Sequence, residues 1–176
     1  MADGNTGRGR EEDRPAQAVP PASSSSLEPQ SQGRSKSAAA RRKVAVNQMQ
    51  DLLHEALIDT GHVQRCALVM LKDGSVRATS LGYQPCKKSI ASIIRNFKQP
   101  PIRRLREIGF EGRLHTCMRN DSVSLYARDT DTGRSGFVAT MTSTFIIYAT
   151  YTSGMYASVC VEAVEKLGDY IREKGK

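Results

Sequence analysis

Residues 108–150 have the sequence IGFEGRLHTCMRNDSVSLYARDTDTGRSGFVATMTSTFIIYAT. Short runs of apolar, β-branched and aromatic residues are separated here by polar turn signals at Glu111-Gly112, at Asn120-Asp121 and at Asp131-Thr132-Gly133. The runs follow one another without an intervening helix. We therefore predict a meander of short strands that pair antiparallel.

A hairpin is predicted upstream of the meander. Residues 66–71 form a short apolar run that is typical of a buried strand, and residues 76–79 supply a returning strand. Asp73-Gly74 lies between them, and glycine tolerates the positive φ that a tight hairpin turn requires.

Two amphipathic helices flank this hairpin. The first is predicted to begin with a capping pair, Asn47 and Gln50, and to end near Gly61, which suits a left-handed C-cap. The second is predicted to stop at Pro100-Pro101. Their apolar stripes consist of Met49, Leu52, Leu53, Ala56 and Leu57 in the first helix, and of Ile90, Ile93, Ile94 and Phe97 in the second.

A third helix is predicted at the C-terminal end, with Ser158 as N-cap and an apolar stripe of Cys160, Ala163, Val164, Leu167 and Ile171. The element order is then helix, hairpin, helix, meander, helix. This order predicts an α+β domain over residues 44–176, with its terminal helices packed on one face of an antiparallel sheet.

Residues 1–43 have a different composition. They contain four of the seven prolines, the run Ser23–Ser26 and almost no large apolar side chains. Such a segment buries too little surface to offset its ordering entropy, so we predict a disordered basic extension. Its cluster Arg41-Arg42-Lys43 fits either a nuclear-import or anion-binding patch or a merely solvated edge.

Composition excludes several classes of protein. The chain has 176 residues, and 26 Lys and Arg against 18 Asp and Glu give a charge of +8. Its longest apolar run, residues 66–71, is far shorter than the roughly 20 residues of a membrane-spanning helix. The N-terminal residues lack the apolar core of a secretory signal, so we expect a cytoplasmic, reducing location. There the four cysteines (Cys66, Cys86, Cys117 and Cys160) should be reduced and partly buried.

The sequence offers little catalytic chemistry. The three histidines, His54, His62 and His115, have no metal-ligand spacing and are expected at the surface or its boundary. Asp131-Thr132-Gly133 matches the aspartic-protease tripeptide, but the polar residues before it favour a hairpin turn. No phosphate-binding loop is present. We predict a protein that is not an enzyme, with no catalytic or metal-binding residues and no cofactor.

Basic residues are concentrated between Lys87 and Arg119. This segment contains nine basic residues and only two acidic ones, Glu107 and Glu111, which gives a local charge of +7. Such a cluster suits phosphate groups on lipids or nucleic acid, or an acidic protein surface. The alternative is a solvated basic face without a dedicated ligand. The nine residues are Lys87, Lys88, Arg95, Lys98, Arg103, Arg104, Arg106, Arg113 and Arg119.

Several separated segments resemble the profilin family. Residues 164–171, VEKLGDYI, look like the last helix of profilins, and residues 151–160 resemble the loop that leads into it. Gly61-His62 and residues 73–76 fit the same pattern near the start of the fold. The resemblance covers residues 46–176 and is strongest to the divergent, testis-type branch of the vertebrate profilins. It implies the α+β fold already predicted and a non-enzymatic, cytoskeleton-associated protein that binds actin, proline-rich peptides and phosphoinositides.

The resemblance also implies where those ligands would bind. The proline-rich site needs flat aromatic rings, yet the chain has no tryptophan and places Arg77, Val46 and Met49 at positions that are aromatic in the family. We therefore expect weak or absent polyproline binding.

The actin face should include equivalents at Arg128, Tyr156, Ser158 and Val161. Residues 156–161 replace a Pro-Gly turn and an asparagine of conventional members, and the hairpin 128–136 carries Asp129 and Asp131 where basic residues are usual. Actin-monomer binding is expected to be reduced or lost.

Anionic phospholipids are the favoured partner. The candidate lipid-binding residues are Lys87, Lys88, Lys98, Arg103, Arg104 and Arg106. The alternative from another class is a small basic nucleic-acid-binding module, which lacks the interleaved aromatic residues that would stack on bases.

Overall fold

The computed structural model describes residues 48–99 and 106–175. The helices are α1 over residues 48–56, a 3-10 turn at Ile58–Thr60, α2 at Lys87–Lys98 and α3 at Ala157–Lys174. The strands are β1 Arg65–Met70, β2 Val76–Thr79, β3 Glu107–Phe110, β4 Arg113–Asn120, β5 Ser124–Asp129, β6 Gly136–Met141 and β7 Phe145–Tyr151. Predictions that concern residues 1–43, Val46, Asn47, Pro100-Pro101, Arg103 and Arg104 lie outside the described residues.

The strands form one antiparallel sheet in the order β2-β1-β7-β6-β5-β4-β3. Strands β3 to β7 follow the predicted meander, and β7 then pairs with β1, where Leu68 lies opposite Ile147. The first strand begins and ends one residue earlier than predicted. It ends at Met70 because this residue already closes the hairpin: the Met70 N–H donates to the Ser75 carbonyl at 2.8 Å. Gly74 has the positive φ, 68°, that the Asp-Gly signal predicted.

Two apolar layers lie on opposite faces of the sheet. Leu53 and Leu57 of α1 pack with Val164 and Leu167 of α3 against Leu68 and the strands beside it. On the other face, α2 contributes Ile90, Ile93 and Phe97 to a second cluster. The alternation of Leu68 with Ala67 and Val69 in β1 explains this division, since successive strand residues point to opposite faces. The predicted fold, with both terminal helices on one face, is confirmed.

Helix α3 lies unusually close to β6. A Cβ atom added to Gly168 would lie 2.7 Å from Thr140 Cγ2, so only glycine permits this approach. One turn further on, the Arg172 guanidinium donates to Thr140 Oγ1 at 2.7 Å and to the Met141 carbonyl at 3.1 Å. The position of α3 on the sheet therefore depends on its C-terminal half.

The capping prediction for α3 is wrong. Helix α3 begins at Ala157 with Tyr156 as N-cap, so Ser158 lies inside the first turn. The Tyr156 N–H instead donates to His62 Nδ1 at 3.2 Å, which ties the start of α3 to the end of the α1 region. In the part of the chain that the structure describes, the side-chain amide of Gln50 donates to the Thr79 carbonyl of β2 at 2.6 Å.

The prediction that His115 lies at the surface or its boundary is also wrong, because this side chain is buried. Pairing of β3 with β4 places His115 opposite Ile108, and its ring makes edge contacts with Phe110 at 5.8 Å and Phe137 at 5.3 Å between ring centres. Burial lowers the pKa of His115, so its imidazole is neutral at pH 7.

Candidate functional site

The exposed side of α2 carries four cations. Lys87, Lys88, Arg95 and Lys98 are all exposed, and they occupy about 100° of the helix circumference, opposite Ile93 and Phe97. Helix α2 contains no acidic residue. We name these four side chains the α2 cation face.

The fold accounts for only part of the charge of the α2 cation face, since Arg95 and Lys98 lie in the last turn, where the helix dipole favours cations. Within the described part of the chain, none of the four side chains takes part in an ion pair. Lys87 and Lys88 lie in the first turn, where the partial positive charge of the helix N-terminus disfavours cations. A helix selected for stability alone would carry acidic residues there. The fold therefore gives no reason for cations at Lys87 and Lys88.

One further predicted lipid-binding residue, Arg106, belongs to the described part of the chain but lies outside α2. Arg106 is half-buried and donates to the side-chain oxygen of Gln99. Two further members of the basic cluster have acidic neighbours: Arg113 lies 3.5 Å from Asp129, and Arg119 lies 2.7 Å from Asp121. The α2 cation face therefore contains three of the six predicted lipid-binding residues, Lys87, Lys88 and Lys98.

Arg95 was missing from the predicted site. The signal was present in the sequence, since Arg95 follows Lys88 by seven residues, which is two helical turns. Lys87 and Lys98 are separated by about 16 Å along the helix axis, so the α2 cation face could contact several anionic groups at once.

Cys86 precedes the two lysines at the N-cap of α2 and is exposed, unlike the partly buried thiol that was predicted. Hydrogen bonds from the backbone N–H groups of Lys88 and Ser89 lower the pKa of Cys86. By contrast, burial raises the pKa of Cys160 in α3 to about 12. The N-terminal end of α2 thus favours negative charge at its surface.

The predicted actin-face residues lie around the start of α3 and the adjoining strand β5. Arg128 points to the terminal-helix side of the sheet and lies beside the hydroxyl of Tyr151. Burial raises the pKa of Tyr151, and the nearby Arg128 offsets part of this increase. Tyr156 is 69% exposed, and its ring makes an edge contact with His62 at 5.1 Å. Ser158 is exposed, whereas Val161 is half-buried against the apolar cluster.

The β5–β6 turn is organised by Asp129. Its carboxylate accepts hydrogen bonds from the backbone N–H groups of Asp131 and Thr132, both at 2.9 Å. These bonds, led by the one from Thr132, lower the pKa of Asp129. Asp131-Thr132-Gly133 forms an exposed hairpin turn, as predicted, and not the buried carboxylate site of a protease.

A groove of about 690 Å³ separates α1 from α3. Leu52, Ala56 and Ala163 provide apolar walls, Glu55 and Glu162 add acidic groups, and Tyr170 is its one aromatic side chain among the residues described. Arg77 is exposed on β2, where the resemblance predicted an aromatic side chain. This surface offers few flat rings to a proline-rich ligand.

Comparison with known proteins identifies the family of this chain. The family model described as Profilin matches residues 47–176. This chain belongs to the profilin family. Mouse Profilin-4 is 38% identical over 131 residues, a match that covers 74% of this chain and 99% of the mouse protein. The resemblance inferred from the sequence is confirmed.

Solved structures have the same fold. Acanthamoeba castellanii profilin IB superimposes with a TM-score of 0.62 at 26% identity, over 72% of this chain and 98% of that protein. LokiProfilin1, solved in complex with rabbit actin, superimposes with a TM-score of 0.61 at 8% identity, over 73% of this profilin and 96% of that chain. Within the described ranges of this profilin, no helix is both long and apolar enough to cross a membrane.

Proposed function

We propose that this profilin acts in the cytoplasm as a non-enzymatic regulator of the cytoskeleton and docks on anionic phospholipids, phosphoinositides above all, through the α2 cation face. The observation that carries the proposal is the presence of four exposed cations on one side of a helix without an acidic residue. The apolar stripe that fixes α2 on the sheet also keeps those cations turned outward.

The energetics suit reversible docking. A basic side chain near an anionic membrane contributes about 1 kcal/mol, and salt screens this attraction within a Debye length. Four such residues give useful affinity only where anions are dense. A multiply phosphorylated head group meets that condition better than a singly charged lipid.

We propose further that binding of monomeric actin is weak or lost. Val161, at an actin-face equivalent, is half-buried in the apolar cluster, and Tyr156 contacts His62. The Asp129 carboxylate is occupied by hydrogen bonds within its own turn, and it stands where the resemblance predicted a basic residue. We expect the pure protein not to slow spontaneous actin polymerisation at low micromolar concentrations, in an assay where a conventional profilin does. Clear slowing would contradict this part of the proposal.

Polyproline binding is proposed to be weak or absent because Arg77 and Met49 replace aromatic side chains and the adjacent groove offers Tyr170 alone among its described walls. Calorimetric titration with a decaproline peptide tests this point. Saturable binding at millimolar concentration or tighter would contradict it.

Co-sedimentation with vesicles tests the main proposal. The full-length protein should sediment with vesicles of phosphatidylcholine and phosphatidylinositol bisphosphate, and it should stay in the supernatant with phosphatidylcholine vesicles alone. The double variant Lys87→Glu/Lys88→Glu should no longer sediment with the vesicles. The matched charge reversal on α3, Lys166→Glu/Lys174→Glu, should still sediment with them. An equal loss of vesicle binding in both variants would contradict a site on α2. The alternative of nucleic-acid binding rests on the net charge alone.

A further inference from the structure

A second feature lies at the N-terminal end of α2. The side chain of Leu81, in the turn between β2 and α2, is 91% exposed, more than any other large apolar side chain described. The turn does not require leucine, since the second position of a β-turn accepts most residues. Exposure of a single leucine is ordinary, so its meaning depends on what holds it and what surrounds it.

The turn is held rigidly at both ends. The Tyr83 N–H donates to the Ser80 carbonyl at 3.1 Å, and Gly82 adopts φ of 72°, which fits a type II turn with glycine in third place. Ser80 is buried, and its hydroxyl accepts from the Cys66 N–H at 3.2 Å. The Tyr83 hydroxyl is hydrogen-bonded to Glu111 and lies 3.1 Å from that of Tyr148. Leu81 is therefore presented outward by a fixed loop.

Leu81 also lies beside the cations. It lines one surface cleft together with Gln84 and Cys86, and Cys86 directly precedes Lys87 and Lys88. An exposed leucine, two lysines without acidic partners and a helix N-terminus thus share one end of the molecule.

We infer that Leu81 inserts into the surface of the bilayer while Lys87 and Lys88 contact phosphates of the lipid head groups. This inference rests on the proposed phospholipid binding and gives it an orientation, with the N-terminal end of α2 against the membrane. Burial of the leucine side chain adds an apolar contribution that a soluble head group cannot supply.

A tryptophan at position 81 tests the insertion directly, because the chain contains no other tryptophan. In the full-length Leu81→Trp protein, vesicles with phosphatidylinositol bisphosphate should shift the emission to shorter wavelength, and brominated lipids should quench it. Leu114→Trp, at a 53% exposed position on β4, is the control and should show neither effect. Vesicle binding without a shift at position 81 would overturn the insertion and leave the proposed lipid binding intact.

Affinity separates insertion from charge. Leu81→Ser should weaken vesicle binding about tenfold, as expected for partial loss of a buried leucine. The same substitution should leave binding of soluble inositol trisphosphate unchanged, whereas Lys87→Glu/Lys88→Glu should weaken both. Equal vesicle affinity of Leu81→Ser and the unmodified protein would overturn the inference. Failure of the unmodified protein to bind any anionic vesicle would overturn the proposed function as well.

Discussion

Helices α2 and α3 cover opposite faces of the same sheet but use their charged residues differently. On α3, Glu162 lies 2.6 Å from Lys166, and Asp169 pairs with Arg172. Glu165 accepts hydrogen bonds from Ser124 and Tyr126 of β5. Five of the seven charged residues of α3 thus have polar partners within the described part of the fold.

On α2 the exposed charges are all positive and have no acidic partner among the described residues. Both helices contribute an apolar stripe, so packing does not distinguish them. This difference supports the proposal that the exposed side of α2 binds a ligand, whereas the charged residues of α3 mainly stabilise the domain. Substitutions of the α3 residues that contact the sheet should therefore change stability, and substitutions on the α2 cation face should change binding.

Removal of all four α2 charges should have the largest effect. The variant Lys87→Gln/Lys88→Gln/Arg95→Gln/Lys98→Gln should lose about 4 kcal/mol of vesicle binding, close to a thousandfold, since each cation contributes about 1 kcal/mol. Its thermal midpoint should change little, because loss of the two lysines relieves repulsion at the helix N-terminus while loss of Arg95 and Lys98 removes attraction at the C-terminus. Vesicle titration and thermal unfolding measure the two quantities. A strongly destabilised variant would contradict the division between the helices.

Gly168→Val should have the next largest effect, on stability alone. The new side chain would collide with Thr140, and overpacking of this kind costs about 1–3 kcal/mol. Ala91→Val on the exposed side of α2 is the matched control, since it changes helix propensity without a close contact. Denaturant unfolding should separate the two variants, and similar midpoints would show that α3 is not held tightly against β6.

Arg172→Met should destabilise the domain by about 1 kcal/mol, because two hydrogen bonds from the guanidinium to Thr140 and Met141 are lost. Its vesicle affinity should stay unchanged. Arg95→Met provides the reverse pattern, with weaker vesicle binding and an unchanged midpoint. If both arginine variants altered the same property, the proposed difference between α2 and α3 would fail.

The smallest effect is expected for Lys166→Ala. This lysine pairs with Glu162 at the surface, where ion pairs contribute little, and alanine is the better helix former. Neither the unfolding midpoint nor vesicle binding should change measurably. A clear loss of vesicle binding would extend the lipid contact to α3.

Local patterns predicted most of this fold. Strand β2 has the predicted bounds because Asp73-Gly74 fixes the preceding turn through nearby residues alone. The stripe of α2 was equally clear, since Ile90, Ile93 and Phe97 have helical spacing. Each of these features depends on residues within a few positions of one another.

Features that depend on distant pairing were missed. Burial of His115 requires Phe110 from β3 and Phe137 from β6, and the role of Gln50 requires Thr79 of β2. The candidate site was half predicted for the same reason. Sequence showed a basic cluster, but only the folded chain separates the α2 cation face from Arg113 and Arg119, which have acidic neighbours.

Lysine footprinting tests the central claim most directly. The full-length protein would be acetylated briefly with and without vesicles of phosphatidylcholine and phosphatidylinositol bisphosphate, and the modified lysines quantified by mass spectrometry. We predict that lipid slows modification of Lys87, Lys88 and Lys98 severalfold and leaves Lys166 and Lys174 of α3 unchanged. Protection of the α3 lysines, or equal protection on both helices, would contradict the account.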